Sequence, residues 1–328
     1  LIYTSGTTGK PKGVMLDESQ FFTNSQDTLT HIPITRDDRV IVALPLFHSF
    51  GNIMAMMVFM TGGTLILLKQ FAPKSILHNI EERKATILPL VPTIYSFLID
   101  LYARGNYDVS SLKYCISGGA ALPHSLLKKV EETLQVSVIE GYGLTETSPV
   151  IAVNTFKGGS FPGSVGPVIP NLELKIIDEA GNEKVSGEVG EIVVRGKTVM
   201  QGYWNLPKET AKTITSDGWL KTGDLGHLDK ENRLFISAGR KKDLIIRAGE
   251  NISPLAIENI LMNHSAIAEV AAVGVSDERA GERVKAFIVL RTDATTTESE
   301  LKSFCRKNLP AFMVPDHFQL MEELPKNA

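Results

Sequence analysis

The sequence predicts an α/β fold with a mostly parallel sheet layer, a small β subdomain and an α+β piece at the C-terminal end. Three observations carry this. Up to about residue 155, short apolar strand-like runs alternate with helix-like stretches, the pattern of a layered α/β domain. From about 160 to 240, short β-rich runs are separated by turn signals. From 243 on, helical and strand-like periodicities mix.

In order, the apolar runs are Leu1–Thr4, Val40–Leu44, Thr64–Leu68, Thr86–Leu90, Leu112–Ser117 and Val136–Glu140. The first reads like the end of a buried strand. "FGNIMAMMVFMTGGTLILL" (50–68) is the most apolar stretch, but Asn52 and Thr61-Gly62-Gly63 break it. It is read as a short buried helix, a turn and a strand, not as a membrane span. Pro73 and Pro92 suit first-turn helix positions. "LPHSLLKKVEETL" places Leu126, Leu127, Val130 and Leu134 at helical spacing. The β-rich region holds "LELKIID", "GEIVVRG" and "RLFISAG", punctuated by "DEAGNE" and "DKEN". Beyond it, "SPLAIENILMNH" and "TESELKSFCRKNL" read as helices, and "IAEVAAVGV" and "ERVKAFIVL" as strands. The expected boundaries are 1–241 for a large domain (1–158 α/β layer, 159–241 β-rich subdomain) and 242–328 for a smaller one.

The 328 residues are 43% apolar, enough for two cores. A net charge of −3 and a pI near 6.2 give no reason to expect nucleic-acid binding. Two cysteines far apart fit a reducing, cytoplasmic setting. No signal peptide or targeting tail is visible. The first residue is Leu, and a strand at the very start needs neighbours, so the natural chain is expected to continue beyond both ends.

"LIYTSGTTGKPKGVML" sets glycines, hydroxyls and lysines between two apolar runs. Backbone N–H groups turned inward by glycine, with hydroxyl donors and ammonium charge, suit phosphate. A flexible surface turn has the same composition. The P-loop of nucleoside triphosphatases is excluded, because Gly9-Lys10 is followed by Pro11 and the glycine spacing is wrong.

"YTSGTTGKPKGV" resembles the signature of the adenylate-forming superfamily, which includes acyl-CoA synthetases, peptide-synthetase adenylation domains and firefly-type luciferases. The resemblance continues in order through "PLFHSFG", "SGGAALP", "EGYGLTETSPV", "GWLKTGDLGHLD", "GRKKDLI" and "GENISPLAIE". It implies that the chain is the second half of the large domain of such an enzyme followed by most of a mobile C-terminal lid. It also implies the chemistry. A carboxylate attacks the α-phosphate of ATP, pyrophosphate leaves, and a thiol, usually that of CoA, takes the acyl group from the adenylate.

By the same resemblance Thr4, Ser5, Gly6, Thr7, Thr8, Gly9 and Lys12 cradle the β- and γ-phosphates, with Lys10 in a supporting role. Glu146 holds Mg²⁺, which needs few carboxylates beside phosphate oxygens. Thr145 contacts the α-phosphate. Gly119, Ala120, Ala121, Gly141 and Tyr142 face adenine, and Ile236 packs on it. Asp224 accepts from the ribose hydroxyls. Arg240 lies near ribose and phosphate. His48 stands beside the carboxylate pocket, as a catalytic group or as a gate. Lys242 is the hinge, and Gly249 faces the thiol tunnel.

Members of the family carry a catalytic lid lysine in a motif of which Lys326 is the start, so that lysine is expected just past Ala328. The 328-residue chain by itself is therefore expected to adenylate poorly. No Asp stands between Leu44 and Gly51 to pair with an α-amino group, which favours a carboxylic acid lacking an amine. "IMAMMVFM" would suit an alkyl chain, or is simply core. The implied function is a fatty acyl-CoA synthetase for medium or long chains, with ATP, Mg²⁺ and CoA. An acyl carrier protein as acceptor, a luciferase-like monooxygenase and a non-catalytic nucleotide-binding fragment are the alternatives. A homodimer and peripheral membrane contact are compatible with the sequence.

Overall fold

The computed structural model describes residues 1–4, 11–69, 72–158, 161, 163–240, 243–247, 250–277 and 280–325, apart from the side chains of 238–240. The chain runs β1 (Ile2–Thr4), β2 (Lys12–Met15), α1 (Glu18–Leu29), β3 (Arg39–Val42), α2 (Ser49–Thr61), β4 (Thr64–Leu67), α3 (Pro73–Arg83) and β5 (Ile87–Leu90). It continues through α4 (Pro92–Tyr102), β6 (Tyr114–Ser117), α5 (His124–Leu134), β7 (Ser137–Gly143), β8 (Val150–Val153), β9 (Ser164–Pro167), β10 (Leu172–Ile177) and β11 (Gly190–Gly196). Then come β12 (Gly202–Tyr203), α6 (Pro207–Thr213), β13 (Leu220–Leu228) and β14 (Arg233–Arg240). The last elements are β15 (Ile245–Arg247), β16 (Glu250–Ile252), α7 (Pro254–Leu261), β17 (Ile267–Asp277), β18 (Gly281–Leu290), α8 (Glu298–Asn308) and β19 (His317–Met321).

Five parallel strands and one antiparallel edge strand form the main sheet, in the order β4-β3-β5-β6-β7-β8. Parallel strands are covered on both faces, which is why they read as continuous apolar runs. Val40, Ile41 and Val42 are fully buried, and so is every residue of β6. Ile76, Leu77 and Ile80 of α3, Tyr95 and Leu98 of α4, and Leu127, Val130 and Leu134 of α5 join Ile41, Leu88, Cys115 and Val138 in one core. Fully burying each such aliphatic side chain stabilises the fold by roughly 1.5–3 kcal/mol before chain entropy is counted. The stretch 50–68 is indeed helix, turn and strand. Gly62, with φ +72°, ends α2 in the left-handed conformation, and β4 follows. Pro73 and Pro92 open α3 and α4 at their first turns. Among the described residues no helix is long and apolar enough to cross a membrane.

Two elements differ from the sequence reading. β1 is not a buried strand of the main sheet. It pairs antiparallel with β2, and β12 completes a separate three-stranded sheet, β1-β2-β12. Leu1 and Tyr3 are 62% and 63% exposed, so a short apolar run here covers one face only. β8 follows Pro149 and reverses direction against β7, a strand hidden inside a motif read for its chemistry.

The β-rich region forms a five-stranded sheet, β10-β11-β13-β14-β9. The chain divides into two compact units. One is Leu1–Glu188, Ile192–Thr222 and Leu228–Phe235; the other is Val189–Glu191, Gly223–His227 and Ile236–Ala328. The second contains the sheet β16-β15-β18-β17, with β19 parallel to β18. Its core gathers Ile245, Ile252, Ile257, Leu261, Ile267, Val284, Ile288 and Leu301. Ser253 caps α7, and Thr297 with Glu300 forms a capping box on α8.

Candidate active site

A cleft opens in the first unit beside the carboxyl ends of β6 and β7, where ligands sit in parallel sheets. Its empty space, open mouth included, is about 570 Å³. Ile32, Ile53, Met54, Met57, Val150 and Val153 give it apolar walls. Gly118, Gly119, Gly141 and Tyr142 line it as well. Among the described residues no Asp, Glu, Lys or Arg lines it. Met54 and Met57 are each 1% exposed, so they are core and cleft wall at once. Ser117, also on the lining, has a buried hydroxyl with no hydrogen-bond partner among the described residues.

The α2 N-terminus faces this cleft, because His48, Ser49 and Phe50 line it. His48 is the N-cap, its Nδ1 accepting the Phe50 N–H at 3.2 Å. That bond requires an unprotonated Nδ1, and partial burial of this solvent-accessible ring lowers its pKa in the same direction. The Ser49 hydroxyl lies 3.3 Å from the Thr145 hydroxyl, which links α2 to the turn 145–147.

Gly119, Ala120 and Ala121 are exposed in the turn after β6. Gly119 has φ +80°, a conformation that glycine adopts without a Cβ clash. Gly141 and Tyr142 sit on β7, opposite Val153 and Ala152. A Cβ at Gly143 would collide with the Pro149 carbonyl, so the hairpin from β7 into β8 needs glycine there. Glu140, paired in register with Ser117, is 8% exposed. It accepts the Leu122 N–H, but burial outweighs that bond and pushes its pKa up to about 7.

Thr4 and Lys12, which flank the glycine- and hydroxyl-rich segment, are held together as an antiparallel pair. Ser5, Gly6, Thr7, Thr8, Gly9 and Lys10 lie outside the described residues. Lys12, with its side chain 13% exposed, binds Glu209 at 2.9 Å and stands 4.9 Å from the centre of the Tyr203 ring. Lys212 holds the other Glu209 oxygen at 2.9 Å, and the two ammonium groups press the Glu209 pKa down to about 2. The Glu146 carboxylate accepts from the Tyr203 hydroxyl at 2.8 Å, and its backbone carbonyl accepts the Met200 N–H. Burial and the neighbouring carboxylate push the Tyr203 pKa up, so the phenol stays a donor.

Asp224, on β13 and 6% exposed, and Ile236, on β14, belong to the second unit. The Arg240 side chain, Lys242, Gly249 and Lys326 lie outside the described residues. Tyr203, Glu209 and Glu140 escaped the sequence reading. The first two occupy "GYWNLPKE", a segment with no spacing signal of its own, and their partners Glu146 and Lys12 lie 57 and 197 residues away.

Residues 1–204 match the family model described as AMP-binding enzyme, and residues 256–328 match that of the AMP-binding enzyme C-terminal domain. The long-chain-fatty-acid–CoA ligase of Bacillus subtilis (strain 168) is 41% identical over 100% of this chain and 59% of its own length. ATP-bound MatB of Rhodopseudomonas palustris superposes with a TM-score of 0.93 at 34% identity, over 99% of this chain and 64% of that one. O-succinylbenzoate coenzyme A synthetase (MenE) of Bacillus subtilis, in complex with ATP and magnesium ion, superposes with a TM-score of 0.89 at 34% identity, over 100% and 67%. The chain thus spans about three-fifths of the curated relative's length.

Proposed function

This chain belongs to the family of AMP-binding enzymes, and we propose that it carries the nucleotide and acid sites of an ATP-dependent acid–CoA ligase acting on a medium- or long-chain fatty acid. The observation that supports the substrate class is the largely apolar cleft, which among the described residues has no Asp, Glu, Lys or Arg on its lining. An amino acid's ammonium or a second carboxylate would be buried there without a counter-ion, at a cost of several kcal/mol. An alkyl tail has the Ile, Met and Val side chains of the cleft to pack on.

In this reading an acid's carboxylate oxygen attacks the α-phosphorus of ATP, and the bond to the bridging oxygen of pyrophosphate breaks. The CoA sulfur, its proton lost, then attacks the acyl carbonyl carbon. A thioester forms as the acyl–oxygen bond to AMP breaks. The protein's work is to place two anions that repel one another and to stabilise charge on phosphorus. Lys12 and Thr4, with the loop between them, serve the β- and γ-phosphates, and Thr145 serves the α-phosphate. Gly119, Ala120, Ala121, Gly141 and Tyr142 are the adenine residues of the first unit, and Ile236 is the adenine-packing residue that the family resemblance assigns in the second. Asp224 and Arg240 take ribose. His48, neutral and capping α2, gates the cleft, and the α2 N-terminus favours an anion at its mouth.

Among the described residues no group of three or more His, Cys, Asp or Glu could hold a metal by itself. One carboxylate suits Mg²⁺ that arrives on nucleotide phosphates and keeps water, and Glu146 would supply it. Bound there, the cation would neutralise phosphate charge. We place the hinge at Lys242, with 242–328 as the lid and Gly249 on the thiol path.

The test is carboxylate-dependent pyrophosphate release by the full-length protein with ATP and Mg²⁺, over acids from acetate to long-chain fatty acids plus amino and aryl acids. Release that peaks with a medium or long fatty acid, followed by CoA-dependent thioester, is the expected result. A peak with an amino acid or a dicarboxylate overturns the substrate class. ATP binding without release for any acid overturns the ligase.

A further inference from the structure

We infer that Tyr203 is a positioning residue for the phosphate end of the nucleotide, its hydroxyl aligning the Glu146 carboxylate and its ring face aligning the Lys12 ammonium. The inference rests on the proposed roles of Glu146 and Lys12, and it concerns a residue to which the sequence reading gave no role.

The backbone around Tyr203 is tied to both groups. Gly202 and Tyr203 pair with Met15 and Val14 of β2, the strand that starts at Lys12. The Trp204 N–H donates to the Gly13 carbonyl at 2.7 Å, and the Met200 N–H to the Glu146 carbonyl at 2.9 Å. The Tyr203 N–H donates to the Thr210 hydroxyl at 2.9 Å, which fixes it to α6. The side chain is then held at 7% exposure. Its hydroxyl binds Glu146 Oε1, and a carboxylate has a second oxygen to offer a cation. Its ring lies under the Lys12 ammonium at a cation–π distance.

Lys12 pairs with Glu209 and Glu146 takes the phenol, so one tyrosine touches both groups, Glu146 through its hydroxyl and Lys12 through its ring, and orients each. A residue kept only for packing would not need the hydroxyl.

Two variants of the full-length protein separate these roles, Tyr203→Phe and Tyr203→Leu. Three quantities are measured by calorimetric titration: AMP affinity without metal, ATP affinity without metal, and the Mg²⁺ concentration that half-saturates the enhancement of ATP binding. Thermal unfolding reports folding. Tyr203→Phe keeps the ring, so both metal-free affinities should stay within about twofold, while half-saturating Mg²⁺ rises about tenfold, the loss of one hydrogen bond to a charged group. Tyr203→Leu should show the same Mg²⁺ shift and also weaken metal-free ATP binding severalfold, with AMP unchanged. An unshifted Mg²⁺ response in Tyr203→Phe overturns the inference. So does an equal loss of AMP and ATP affinity, which is what a structural residue would give. If the wild-type protein binds ATP no better with Mg²⁺ than without, the proposed function falls and takes this inference with it.

Discussion

Replacing Glu140 by Gln should make the protein more stable at alkaline pH and leave its pH response flatter. The carboxyl is 8% exposed, and burial moves its pKa from an ordinary 4.5 up to about 7. The native state therefore holds this proton more tightly than the unfolded chain does. The stabilisation is complete below pH 4.5, declines as pH rises and is gone above about 7. At 1.36 kcal/mol per pKa unit, the difference of about 2.5 units amounts to about 3 kcal/mol. Gln keeps an oxygen for the Leu122 N–H and does not titrate. Its extra N–H adds an offset that is the same at every pH, so the readout is the change in the difference, not its absolute size. Urea unfolding of both proteins at half-unit steps from pH 4.5 to 8.5 measures it. The variant's advantage should grow by about 3 kcal/mol across that range, equivalent to roughly 6–12 °C in Tm. Parallel pH profiles would refute the reasoning, because they would mean that the carboxyl ionises in the fold as easily as in water.

Met57→Ala should cost about 2–5 kcal/mol of stability through the cavity left at a 1% exposed site, and shift the preferred acid toward longer tails. An unmoved chain-length optimum in the pyrophosphate assay would make Met57 core and nothing more. Gly119→Ala should lower stability by about 1–2 kcal/mol in thermal unfolding, since φ +80° strains any side chain, although the new Cβ would meet only Val91 at 3.4 Å. Tyr95→Phe should cost about 1–2 kcal/mol in urea unfolding, because a fully buried hydroxyl donates to the Leu88 and Ile116 carbonyls at 2.6 and 3.0 Å.

Much of this molecule is legible along its own chain. The helix-turn-strand of 50–68 is written in the run that ends at Thr61 and the glycine that follows. The parallel strands are written in apolar runs with helical spacing between them. Such signals are local, since each element carries its own period. The chemistry of the site is only partly local. Glu146 and Lys12 announce themselves within motifs, but the groups that touch them do not. Tyr203 and Glu209 matter because a two-residue strand and a two-turn helix return to β2, and no periodicity encodes that return. Glu140 reads as one more letter of "EGYGLTE", and its raised pKa comes from the depth of β7 in the sheet, a tertiary property. β1 misled for the complementary reason: three apolar residues look alike whether one face or two are covered.

The sheet β1-β2-β12 also has a consequence in time. A ribosome adds about 5–20 residues per second, so the 197 residues between Lys12 and Glu209 take about 10–40 s to synthesise. Throughout that interval β2 lacks its third strand, and the lysine lacks both its acidic partner and the tyrosine beneath it. Closing such a long-range contact is slow compared with forming the local helices. The nascent protein can thus complete much of its parallel sheet well before the β1-β2-β12 sheet is closed. A chain interrupted in that window would hold all the residues of α1 to α5 and still leave β2 without its third strand and Lys12 without Glu209.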